Sequence, residues 1–161
     1  MHKSRSRVNV STFGKRALLA ASATITPVSY MRIKFFQYNS DASPRLSLGK
    51  NIERDLMVNL NCPIRLLMEY VRVKANIPVE IDFDLFDEMG NLKHTFDAPV
   101  QKMASKILFP KAIYFIVILP KNEIGIVLKP TILINRGSRL NADYVTRIRR
   151  QLQHSGRKTA K

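Results

Sequence analysis

Five carboxylates crowd into the eleven residues 80–90, EIDFDLFDEMG, of a chain that is otherwise strongly basic. A metal loop, a catalytic acid pair or the wet face of a β-strand would each use such a cluster. An EF-hand loop needs oxygen ligands at positions 1, 3 and 5, Gly at 6 and Glu at 12. Starting from Asp82, position 5 is Phe86 and position 6 is Asp87, so the motif fails. Glu80, Asp82 and Asp84 alternate with Ile81, Phe83 and Leu85 instead. A period of two sends the acids to one side of a strand and the hydrophobes to the other. The expectation is a solvated strand face followed by a turn at DEMG, with Asp87 bonding its own backbone and Gly90 accepting positive φ. Such a face can meet a basic partner or the chain's own basic ends.

Other catalytic chemistry has little to work with. Cys62 is the sole cysteine. Its place at a helix N-terminus lowers a thiol's pKa, but a capping or buried structural cysteine is the plainer reading. His2, His94 and His154 are scattered over tail, strand and tail. Neither a Gly-rich phosphate loop nor HExxH nor GxSxG occurs. The sequence therefore reads as non-enzymatic, with no cofactor and no metal.

The elements that would hold the acidic stretch can be read outward from it. MRIKFFQ, from Met31, alternates as a strand, and DLMVNLN resumes extended patterning through Leu56, Val58 and Leu60. The long polar connection 38–54 between them reads as a mobile loop. In NCPIRLLMEYVRVKANIP the apolar stripe Ile64, Leu67, Met68, Val71 and Ala75 marks a helix. Asn61 or Cys62 would cap it, Pro63 suits its first turn, and Glu69 and Arg72 stand at ion-pair spacing. NLKHTF is expected to be a short strand and DAPVQKMASKIL a helical turn. AIYFIVIL, 112–119, is apolar throughout, as in a strand buried on both faces. EIGIVLKPTILI offers an edge strand blunted by Lys129 and Pro130. NADYVTRIRRQLQ offers a short basic helix with Tyr144, Val145, Ile148 and Leu152 on a narrow stripe.

The chain has 161 residues, 45% of them hydrophobic, enough for one domain with tails. No apolar run reaches the roughly 18 residues that cross a bilayer. The net charge of +15 sits at the ends: five basic residues and no acid in 1–30, ten against two in 121–161, and a nearly balanced twelve against ten between. Residues 1–30 fit a disordered basic leader or an extension upstream of a start at Met31. Their composition also matches mitochondrial import, and ALLAASATI passes for a weak secretory segment. The lone cysteine fits a reducing, cytoplasmic compartment.

Strand, strand, helix, strand, strand, short helix, strand is the order of an α+β, ubiquitin-like β-grasp. A mixed sheet of four or five strands covers one helix over 31–120, with flexible basic tails at 1–30 and 121–161. Residues 58–119 resemble a small vertebrate family of uncharacterised open-reading-frame proteins, known from the X chromosome and chromosome 22 and expected to be ubiquitin-like. VNLNCPIRLLMEYVR, DLFDEMGNLK and MASKILFPKAIYFIVIL carry the resemblance. It implies the same fold and brings no activity. Conjugation in the manner of ubiquitin needs a Gly-Gly end, whereas Gly125, Gly137 and Gly156 stand singly.

The expected function is a non-conjugated protein-interaction module, adaptor or structural, with a protein partner of cytoskeletal or ciliary kind among its uses. Its docking surfaces would be the acidic Asp82, Asp84, Asp87 and Glu88 and the basic Arg147, Arg149 and Arg150. The rival is nucleic-acid binding through the basic tails.

Overall fold

The computed structural model describes residues 29–39 and 52–156, so residues 1–28 of the expected leader and most of the 38–54 connection lie outside the described residues, while Tyr30 already belongs to the first strand. The hydrophobic periodicities become β1 (Tyr30–Phe35), β2 (Arg54–Asn59), α1 (Ile64–Ala75), β3 (Phe83–Asp87), β4 (Ile113–Ile118), β5 (Thr131–Ile132) and α2 (Ser138–Gly156). The main sheet order is β2-β1-β4-β3. β1 and β4 run parallel in the middle, while β2 and β3 are antiparallel to their neighbours. β5 adds to the far half of β4, pairing Val117 with Ile132. This is the ubiquitin-like β-grasp expected from the element order: a mixed sheet clasping one helix.

α1 buries its stripe of Ile64, Leu67, Met68, Val71 and Ala75 against Met31, Ile33, Phe35, Phe83, Leu85 and Tyr114. Each large side chain so buried contributes about 1.5–3 kcal/mol. Pro63, not Asn61 or Cys62, is the N-cap residue, and no side chain caps the first turn. Proline tolerates the start because it has no N–H to satisfy. Asn76 in the left-handed region ends the helix, with the Ile77 N–H returning to the Arg72 carbonyl at 3.0 Å.

The uniform apolarity of β4 has a further cause besides its central place. Tyr114, Ile116 and Ile118 face α1, whereas Phe115 and Val117 belong to a second apolar cluster with Phe86, Leu92, Leu119, Ile134 and Ile148. Ile148 comes from α2, so a second helix lies on the opposite face of the sheet. The C-terminal segment is thus folded from β5 to the end of α2, and the helix is longer than the expected 141–153. NLKHTF forms no strand: Leu92 makes an isolated bridge to Phe86, and Thr95–Asp97 is a 3₁₀ turn. The expected helical turn in the next segment is a 3₁₀ turn at Ala104–Lys106.

Candidate functional site

The acidic stretch folds into the sheet and is largely satisfied by its own chain. Asp82, half-exposed, pairs with Lys121 at 2.6 Å. Asp84 is buried, and the expected solvated position is corrected here. Its Oδ1 accepts from the Thr95 hydroxyl (2.6 Å), the Thr95 N–H (3.1 Å) and the Leu85 N–H (2.7 Å). The segment 92–97 closes over this part of β3, so alternation puts Asp84 on a covered face. Burial pushes its pKa up, and the three hydrogen bonds only partly oppose that. Asp87 organises the turn, accepting from the Met89 and Asn91 N–H groups at 2.9 Å each, and pairs with Lys93 at 2.7 Å. Partial burial works against its charge, but Lys93 and Asn91 outweigh it and hold the carboxyl below its ordinary value. Glu88 alone of the four is exposed.

The expected basic surface meets the acidic turn within the same molecule. The Tyr144 hydroxyl donates to the Glu88 carbonyl at 3.1 Å, and Arg147 Nη1 donates to the Met89 carbonyl at 2.8 Å. Gln151 donates to the Gly90 carbonyl at 3.0 Å and accepts from the Leu92 N–H at 2.8 Å. Main-chain carbonyls, not carboxylates, receive the helix. Gly90, at φ +80°, fits closely: an added Cβ would lie 3.2 Å from Tyr144 Cδ1 and Arg147 Cδ. Arg149 and Arg150 remain exposed on the outer side of α2.

A groove that the sequence reading did not single out remains open. It occupies about 670 Å³ between β2 and α1, lined by Met57, Val58 and Asn59 from the strand and by Leu66, Tyr70 and Val73 among the helix residues. Met57, Leu66, Tyr70 and Val73 are 65, 63, 43 and 75% exposed. The signal was present in α1, where Leu66, Tyr70 and Val73 are apolar yet fall off the core stripe. Three consecutive strand residues line the groove, so it follows the backbone edge of β2 and not merely one of its faces.

That edge is open. Among the described residues β2 pairs only with β1. The Leu60 N–H bonds to the Ser29 carbonyl at 2.8 Å, which continues the β1–β2 register and fixes its parity. Leu56 and Val58 therefore turn their backbone groups to β1, and Asp55, Met57 and Asn59 turn theirs outward. The opposite edge is covered: the Lys93 N–H bonds to the Leu85 carbonyl and the Asp87 N–H to the Asn91 carbonyl. The charged residues lining the groove are Glu69 and Lys74. Arg54 starts β2, and Lys74, whose ammonium lies 5.4 Å from the Tyr70 ring centre, lines the groove near the end of α1. Glu69 is offset by Arg72 at 3.8 Å.

Cys62 also lines the groove, with its Sγ donating to the Asn59 carbonyl at 3.3 Å. Burial pushes its thiol pKa up, the reverse of activation. His94 is not in a strand; it has φ +50° and lies 3.4 Å from Asp97. Among the described residues, no group of three or more His, Cys, Asp or Glu is placed to hold a metal ion. No helix among them is long and apolar enough to cross a membrane.

A family model described as "Putative Interleukin 2 receptor, gamma chain" matches residues 51–130. The match runs from the entry of β2 to the start of β5 and takes in α1, the groove and the acidic turn. No curated protein and no solved structure matches the chain.

Proposed function

We propose that this chain is a non-enzymatic protein-interaction module, adaptor or structural, built on a ubiquitin-like domain that is not conjugated. The observation that carries this reading is the apolar groove beside the open edge of β2. Exposed apolar surface of this kind, contiguous and rimmed by charge, marks docking sites on soluble domains. The resemblance to the open-reading-frame family supports the fold part of the reading and leaves the partner to experiment. A cytoplasmic setting, with a cytoskeletal or ciliary partner, belongs to the same reading and fits a basic protein among acidic polymers.

That Asp82, Asp84 and Asp87 are engaged within the chain favours the groove over the acidic stretch as the docking surface. The exposed Arg149 and Arg150 favour the second reading, nucleic-acid binding through α2.

Co-purification from native cells separates the two. The wild-type chain is compared with Met57→Glu/Val73→Glu and with Arg149→Glu/Arg150→Glu, after circular dichroism shows all three folded. Loss of protein partners in the groove variant alone supports docking there. Loss of bound nucleic acid in the arginine variant, with protein partners unchanged in both, supports the rival.

A further inference from the structure

We infer that the groove takes an extended peptide segment of a partner protein, which adds to β2 as a further strand and carries an acidic residue over Arg54 and Lys74. This rests on the docking reading and names the chemistry of the partner. Two independent features of the site specify the occupant.

The first is the backbone. A helix laid in the groove would fill it with side chains but leave the outward N–H and C=O groups of Asp55 and Met57 to solvent. A strand satisfies them and sends every second side chain into the groove against Leu66, Tyr70 and Val73. β2 lacks the common protections of an edge: it has no proline, and within it only Arg54 and Asp55 are charged. Asp55 is held by Arg32 across the β1–β2 pair. The stretch from Met57 to Asn59, where the groove lies, carries no charge at all.

The second is the charge. Tyr38, just beyond β1, donates its N–H to the Ala75 carbonyl at 2.8 Å, and Phe35 in β1 is paired with Arg54. The end of α1 and the start of β2 therefore lie at the same end of the sheet. Lys74 and Arg54 stand there with Glu69 already offset by Arg72. A carboxylate at that end of the segment meets Lys74 in the groove and approaches Arg54 at the start of β2, whose neighbour Glu53 is held by Lys34 at 3.6 Å; a lysine there meets repulsion.

The probes are synthetic peptides titrated into the full-length chain, read by backbone-amide NMR shifts. One is Thr-Val-Thr-Leu-Thr-Glu-Glu, and a second has the reverse order, so that one places its acids over Arg54 and Lys74 whichever way the strand runs. Each is also made with Lys for Glu, and with N-methyl groups on either alternate set of amides. Shifts are expected along β2 and α1. One N-methylated set should weaken binding at least about tenfold while the other binds as the parent, because amides alternate between the two edges of a strand. The Lys-ended peptides should bind several-fold more weakly, with the difference shrinking at high salt. Met57→Pro removes an outward N–H without touching the ladder to β1. It should therefore lower affinity about tenfold and leave the melting temperature nearly unchanged.

Equal binding of both N-methylated sets overturns strand addition, and equal binding of Glu- and Lys-ended peptides overturns the acidic partner. Shifts confined to α2, or none with any peptide, overturn the inference as a whole. The co-purification comparison involves no peptide, so the docking reading stands or falls apart from these outcomes.

Discussion

Arg147 Nη1 lies 2.8 Å from the main-chain oxygen of Met89, joining the basic helix to the turn that follows the acidic strand. Two stretches that composition sets apart as opposite surfaces are thereby two sides of one internal contact. Phe86 and Phe115 have ring centres 5.4 Å apart, and Tyr144 packs 5.3 Å from Phe86. α2 covers the part of the sheet face away from α1 that is formed by Phe86, Phe115 and Val117, and the groove at β2 is an apolar surface left open among the described residues. Ile148, the fully buried residue that α2 sets against the sheet, tests this closure. Ile148→Ala should cost about 2–4 kcal/mol in urea unfolding at neutral pH. A cost below about 0.5 kcal/mol would mean that α2 does not seal the sheet.

Gly90 sets how closely that helix can approach. Its φ of +80° strains any side chain, and a Cβ 3.2 Å from Tyr144 and Arg147 would make those side chains give by a few tenths of an ångström. Gly90→Ala should destabilise the chain by about 1–2 kcal/mol and speed amide exchange in α2 more than in α1. Uniform exchange in the two helices would contradict the close fit.

Asp84 gives a pH signature. Burial raises its folded-state pKa above the unfolded value, so the folded chain holds the proton more tightly. Its contribution to stability is therefore highest at low pH. It falls as pH rises from the ordinary carboxylate value, about 4, through the higher folded value. Asp84→Asn keeps the acceptor oxygen for Leu85 and Thr95 and removes this dependence. The stability difference between variant and wild type should move in the variant's favour across that window. A difference that does not change with pH would show that the carboxyl titrates as if exposed. Thr95→Val, which strips the hydroxyl donor from a buried acid, should cost about 1–3 kcal/mol at neutral pH.

Cys62 should be a slow thiol. Its pKa is raised by burial, which opposes any activation by its place before the helix. Iodoacetamide at neutral pH should alkylate it more slowly than it does glutathione. Faster alkylation would reopen the case for nucleophilic chemistry.

The parts legible in the sequence were those in which one period sufficed. The stripe Ile64, Leu67, Met68, Val71 and Ala75 named the helix and its buried face, and the apolar run from Ala112 to Leu119 named the central strand, observed at Ile113–Ile118. Pattern failed where a neighbour distant in sequence decides burial. Asp84 looks solvent-facing until Thr95 folds over it, and Phe86 seems to break the alternation until α2 covers it. The doubly apolar β4 did hold a signal for that second helix, because Phe115 and Val117 need a cover that α1 cannot provide. Leu66, Tyr70 and Val73 pointed to the groove in the same way, as hydrophobes with no place on the core stripe. The open parity of Asp55 and Met57 depends on the Ser29–Leu60 pairing, which no local pattern reveals.

Site-directed photo-crosslinking in native cells tests the docking surface most directly. A benzoylphenylalanine is placed at Val73, inside the groove, and in a parallel sample at Thr146, on the exposed side of α2. The groove position should give a discrete crosslinked protein that disappears when Met57→Glu is added, and the α2 position should not give that product. Crosslinks of equal yield at both positions, or a groove adduct indifferent to Met57→Glu, would contradict docking between β2 and α1.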